Sequence, residues 1–175
     1  MIDSEKTRHL VLHDYGMGGL WWWVRARSAE EIVLRVAEVE VITDPEKISR
    51  CEGWDLAEVD LDASDPNPLS NLRGQRTAQR SHPDFGKLAG RERVYLNFTE
   101  EGYDGLHFLM ELGPGGRILR HVEVRTDGTA YKTDEDDLPI NPPHDLHDPE
   151  YAPMETTAEV FEAAWSRSER EPEED

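Results

Sequence analysis

The sequence predicts an α+β protein in which antiparallel sheets are covered on one face by helices and the chain forms two small halves. Three observations carry this reading. Short apolar segments alternate with period two and end at turns containing Gly, Pro or Asp-Gly, the pattern of half-buried strands. Two Ser/Thr-x-x-Glu boxes each open an apolar stripe of helical spacing. Between the halves lies a stretch whose prolines and glycines interrupt both periodicities.

Residues 1–62 form the first predicted unit, of strands and helix. Residues 9–13 (HLVLH) read as a strand that ends at Gly16, Met17, Gly18 and Gly19, and residues 20–26 as the strand that follows the turn. Ser28 and Glu31 make a capping box, the Ser28 hydroxyl accepting from the Glu31 N–H and the Glu31 carboxylate reaching back to Ser28. Ile32, Val36 and Val39 place one apolar stripe on the helix it starts. Asp44 and Pro45 open a second, short helix that stops near Gly53, and residues 56–61 return to strand.

Residues 63–90 read as a basic connector rich in Pro and Gly. Residues 91–168 are predicted as an antiparallel meander plus a C-terminal helix. Its strands cover residues 93–99, 106–112, 117–126 and 129–133, with Asp127-Gly128 as the last hairpin turn. Alternation puts Phe108, Met110 and Leu112 on one face with Ile118, Val122 and Val124, and leaves His107, Glu111, His121 and Glu123 to converge on the other. After a Pro-rich stretch, the box Thr156-Thr157-Ala158-Glu159 starts a helix whose Val160, Phe161, Ala164 and Trp165 suit the apolar face of the sheet. Residues 169–175 read as an acidic disordered tail.

The chain has 175 residues and a formal net charge of −19, with 37% hydrophobic residues. The acidity is uneven: residues 134–175 hold fifteen acids against Arg167 and Arg170, whereas residues 63–93 hold six bases against three acids. Such a field repels nucleic acid and anionic membranes and speeds the approach of basic partners. One cysteine, Cys51, and a start without a basic region followed by a long apolar run predict a soluble, cytoplasmic protein of bacterial type. The most apolar run, residues 18–24, is far shorter than the roughly 20 residues that span a bilayer.

Five groups of residues come into question for function. Gly16, Gly18 and Gly19 do not open a helix, as a phosphate-binding loop must, and read as a turn. Trp21, Trp22 and Trp23 put aromatic rings on both faces of one strand; this fits a strand buried on both sides, or one in which Trp21 and Trp23 anchor a partner. Asp134, Glu135, Asp136 and Asp137 form a dense negative surface for a cationic partner. His144, His147 and Asp148 carry donors that suit zinc or another transition metal, and His107, Glu111, His121 and Glu123 carry groups for acid–base chemistry. There is no G-x-S-x-G nucleophile, and no motif calls for a cofactor.

Residues 106–167 also carry a resemblance. The hairpin GGRILRHVEVRTDGTAYKTD, the stretch LPINPP, the segment HDPEYAPMETT and the helix EVFEAAW, in that order, resemble a small uncharacterised bacterial domain of unknown function. That domain is a sheet-plus-helix unit closed by a Phe-Glu-x-x-Trp helix, here Phe161, Glu162 and Trp165. Small acidic bacterial domains of this kind look like immunity proteins, which neutralise a toxin encoded beside them. The first half, HDYGMGGLWWWVRARSAEEI, resembles segments of actinobacterial hypothetical proteins. The expected function is that of a non-enzymatic, immunity- or inhibitor-like protein that binds and neutralises or regulates a basic partner protein such as a toxin; the alternative is a small metal-dependent hydrolase or other enzyme of unknown substrate.

Overall fold

A computed structural model of the chain describes residues 5–99 and 105–171. The α+β class holds. The chain divides into two units, Met1–Phe85 and Gly86–Asp175, each with its own four-stranded sheet. The division falls inside the segment read as a connector.

In the first unit β1 (Thr7–Asp14) and β2 (Gly19–Ala26) form an antiparallel ribbon around the glycine turn. Short edge strands complete the sheet: β3 (Glu40–Ile42) pairs antiparallel with β1, and β4 (Glu58–Asp60) pairs parallel with β2. Helix α1 (Ala29–Arg35) starts at Ser28, whose hydroxyl accepts from the Glu31 N–H at 3.0 Å. The return arm of the box goes elsewhere, since the Glu31 carboxylate accepts from the backbone N–H of Arg27. The helix also ends before Val36 and Val39. The chain there is captured by the 63–90 segment, the Ala37 N–H donating to Leu72 O at 3.1 Å. Helix α2 (Pro45–Cys51) starts, as the sequence indicates, at an Asp44 cap with Pro45 in its first turn.

The connector contains a helix that the sequence reading missed, α3 (Ser70–Arg80). Its Arg76 is only 1% exposed, donates to Val36 O at 3.2 Å and to Gln79, and lies over the ring of Phe85. Part of the basic stretch is therefore interior structure. Val11, Trp22, Val24, Ile32, Val36 and Leu69 pack on one side of the first sheet, and Leu10, Trp23, Ile42 and Cys51 on the other.

The second sheet is the expected meander: β5 (Val94–Thr99), β6 (His107–Leu112), β7 (Ile118–Val124) and β8 (Ala130–Asp134), all antiparallel and in sequence order. Helix α4 (Ala158–Arg167) starts at Thr157, whose hydroxyl accepts from the Val160 N–H at 3.3 Å. It covers the β6 face opposite to the one expected, whereas Val122 and Val124 of β7 do lie under it, because the register pairs Val122 with Leu109 and sets Phe108 and Met110 against Glu123 and His121. Phe161 and Ala164 pack on Leu109, Val122 and Ala130. The Phe108 and Met110 side is occupied by irregular chain, which brings Leu88, Leu146, Tyr151 and Met154 over Leu96 and Leu112.

Helix α4 crosses the sheet from edge to edge. Before it, the Thr156 N–H donates to Tyr95 O on β5; after it, Glu169 bridges β8 by giving its N–H to Ala130 O and taking that of Lys132. Both edges are thus partly paired, which blunts their capacity to add foreign strands. The acidic tail is accordingly not loose over residues 169–171: Arg170 pairs with Asp134 and Asp137, and Glu171 with Arg125. The rest of the predicted tail, residues 172–175, lies outside the described residues.

Candidate functional site

The acidic run turns outward at the end of β8. Asp134 closes the strand, and Glu135, Asp136 and Asp137 form a single 3-10 turn that is fully exposed. Arg170 donates to Asp134 and Asp137, so two of the four carboxylates are engaged within the chain by one guanidinium, which offsets one of their two negative charges. Glu135 and Asp136 have no ion pair among the described residues. Glu169, exposed and equally unpaired there, lies beside Tyr131 on the same edge. Three free carboxylates therefore stand along the β8 edge, a surface suited to meet cations in water and to steer them in.

The tryptophan strand is used mainly as core. Trp22 and Trp23 face opposite sides of β2 and both are buried, Trp23 at 5% exposure under the guanidinium of Arg8, which sits 4.1 Å from its ring centroid. Trp23 therefore offers no surface to a partner. Trp21 is half-buried and meets Trp54 edge-on, with ring centroids 5.9 Å apart, and Trp54 is 46% exposed. The tryptophan surface of the first unit is thus Trp54 backed by Trp21. Nothing in local sequence marks Trp54, because only the fold brings it to the β2 face.

The histidine loop does not assemble a metal site. His144 turns its Nδ1 to Gly116 O at 3.2 Å and stands edge-on to Tyr151. The Asp145 carboxylate accepts from the His147 N–H at 3.1 Å, and Asp148 caps the next turn (Pro149–Met154) by accepting from the Glu150 N–H. These bonds shape the loop from its own side chains. Among the described residues no three His, Cys, Asp or Glu side chains are placed to hold a metal ion.

Register also separates the predicted acid–base set. His107 faces Val124 across the strand pair and Glu111 faces Arg120, while His121 faces Met110 and Glu123 faces Phe108. Directly opposed residues share a face. His107 and Glu111 thus lie under α4, and His121 and Glu123 lie on the other side. Glu111 is 7% exposed, accepts from Arg120 Nε at 2.5 Å and from the Tyr95 hydroxyl at 3.3 Å. Arg120 also pairs with Glu162, and its guanidinium lies about equally far from Phe161 and Trp165, at 4.9 and 5.0 Å. That cluster ties α4 to the sheet. Within it Glu162 is pulled below the usual carboxylate range by Arg120, and burial beside Glu111 pushes the Tyr95 hydroxyl up.

Asn97, Arg125 and Arg167 were not singled out by sequence, yet with His107 they line a groove between α4 and β6. Their convergence depends on strand register and helix docking, which no local motif encodes.

Comparison of the chain with protein-family models, with curated proteins and with solved structures found no match. Among the described residues no helix is long and apolar enough to cross a membrane.

Proposed function

We propose that this is a non-enzymatic binding protein of immunity or inhibitor type, which engages a basic partner protein through the acidic β8 edge. The observation that carries the reading is the set of outward, unpaired carboxylates of Glu135, Asp136 and Glu169 in a segment with fifteen acids and two bases. Charges of this kind raise the rate of encounter, and apolar contacts made afterwards slow release. The groups a hydrolase would need are distributed otherwise: Glu111 is engaged by Arg120, and His144 by Gly116. The resemblance of residues 106–167 to small acidic bacterial domains points the same way.

The test is isolation of the tagged chain from its native host at low and at high salt, with quantitative mass spectrometry of what accompanies it. The expected result is one stoichiometric partner of strongly basic composition whose recovery drops with salt. Recovery of no stoichiometric partner across growth conditions overturns the proposal, as does a partner that is acidic and retained equally at both salts.

A further inference from the structure

The groove between α4 and β6 has a volume of about 470 Å³, within the range of roughly 300–1,000 Å³ typical of small-molecule sites. Leu109 and Val124 contribute from the sheet, and Val160, Ala163 and Ala164 from the helix. Val160 is 45% exposed and Ala163 is exposed, so the helix side of this wall is open to water on the described surface, while Leu109 and Ala164 form its buried floor. Asn97, His107, Arg125 and Arg167 supply the polar groups.

The charges in the groove are not equivalent. Arg125 is already offset by Glu123 and Glu171. Arg167 is exposed and has no ion pair among the described residues, and it is one of only two bases between residues 134 and 175. The other, Arg170, is tied to Asp134 and Asp137. In a region otherwise rich in carboxylates, one uncommitted guanidinium thus lines the same groove as an apolar wall, the amide of Asn97 and the imidazole of His107. A guanidinium pairs with a carboxylate through two parallel hydrogen bonds, which fits one negative charge rather than several.

We infer that this groove binds a small organic monoanion, a carboxylate carried on an apolar body. The carboxylate pairs with Arg167, Asn97 donates to it, and the apolar body lies on Leu109, Val124, Val160 and Ala163. The site is separate from the acidic edge and does not depend on its partner.

The experiment uses the full chain and anilinonaphthalene sulfonate, an apolar anion that fluoresces when sheltered from water, with octanoate and octanol as competitors. One saturable site is expected, emptied by octanoate and not by octanol at equal concentration. Arg167→Glu should weaken binding by about tenfold or more, because it replaces an attractive charge with a repulsive one. Ala163→Trp should abolish binding by filling the helix wall. Arg170→Glu should leave it unchanged, and melting curves of all three variants report that the fold is kept. Binding that none of the substitutions alters, equal displacement by octanol, or no binding at millimolar probe each overturns the inference.

Discussion

Gly116 shows how much one missing side chain can hold in place. Its φ is +80°, and a Cβ there would lie 2.0 Å from His144 O, while its own carbonyl takes the His144 N–H at 2.8 Å. Gly116→Ala combines left-handed strain with a backbone clash, and should cost the second unit at least about 2 kcal/mol, read from urea unfolding. Arg120 holds by charge instead. Arg120→Ala leaves the buried Glu111 carboxylate with Arg93 at 3.5 Å and the Tyr95 hydroxyl, and should destabilise by about 3 kcal/mol, whereas replacing the pair together by Met and Leu should recover most of that loss. Equal loss in both variants would show that packing, not charge, holds α4. At this scale the sequence was legible where the chemistry is local: Ser28 and Asp44 cap helices where the sequence places their starts, and the box at Thr156 places the start of α4 to within one residue, its cap being Thr157. It was silent on Trp54 and Arg167, whose neighbours arrive from distant chain.

Among the elements, all four strands of the meander and α4 could be read from period-two alternation, the Asp-Gly turn and the Thr156–Glu159 box. The face that α4 covers could not. Alternation gives each strand two faces, and β6 is apolar on both, with Leu109 beneath the helix, Met110 beneath irregular chain and Phe108 between the rings of Phe98 and His121. The missing information was that residues 86–91 and 146–154 supply a second cover. Helix α3 escaped for a different reason: its N-cap, Leu69, makes no side-chain capping bond, Gly74 lies inside it, and the residue it buries is an arginine. The edge role of the segment after α4 can be tested by a chain ending at Ser168. Loss of the Glu169 bridge should speed hydrogen exchange at the Lys132 amide, which donates to Glu169 O, and should promote self-association. Unchanged exchange at Lys132 would mean that the bridge does not protect β8.

For the molecule as a whole, charge and protonation separate the two units. Burial pushes His121 below its ordinary value, against a weaker upward pull from Glu123; His144 is also pushed down by burial, opposed by its bond to Gly116. A histidine with a folded pKa below its unfolded value of about 6.5 binds fewer protons when folded. Its contribution is therefore complete above about pH 6.5 and is lost as pH falls from there through the folded pKa. In the first unit, Lys6 and then Arg35 hold Asp62 down to about 2. That contribution persists above an unfolded pKa of about 3.9 and disappears as pH falls to about 2. The urea midpoint reported by the Val122 methyls should thus fall between about pH 7.5 and 5.5, and His121→Phe should shrink the fall; an equal fall in that variant would remove His121 from the account.

The charge asymmetry itself was visible in the sequence. Its partial cancellation was not, because Arg170 reaches Asp134 and Asp137 only once Glu169 has bridged to β8. What remains for a partner is Glu135, Asp136 and Glu169, and this narrows the acidic surface to residues that can be changed without touching the core. The decisive measurement compares wild type with the Glu135→Lys/Asp136→Lys variant in quantitative isolation of the partner from the native host. The account predicts that recovery falls by roughly tenfold or more at unchanged melting temperature. Equal recovery by the two proteins would contradict it.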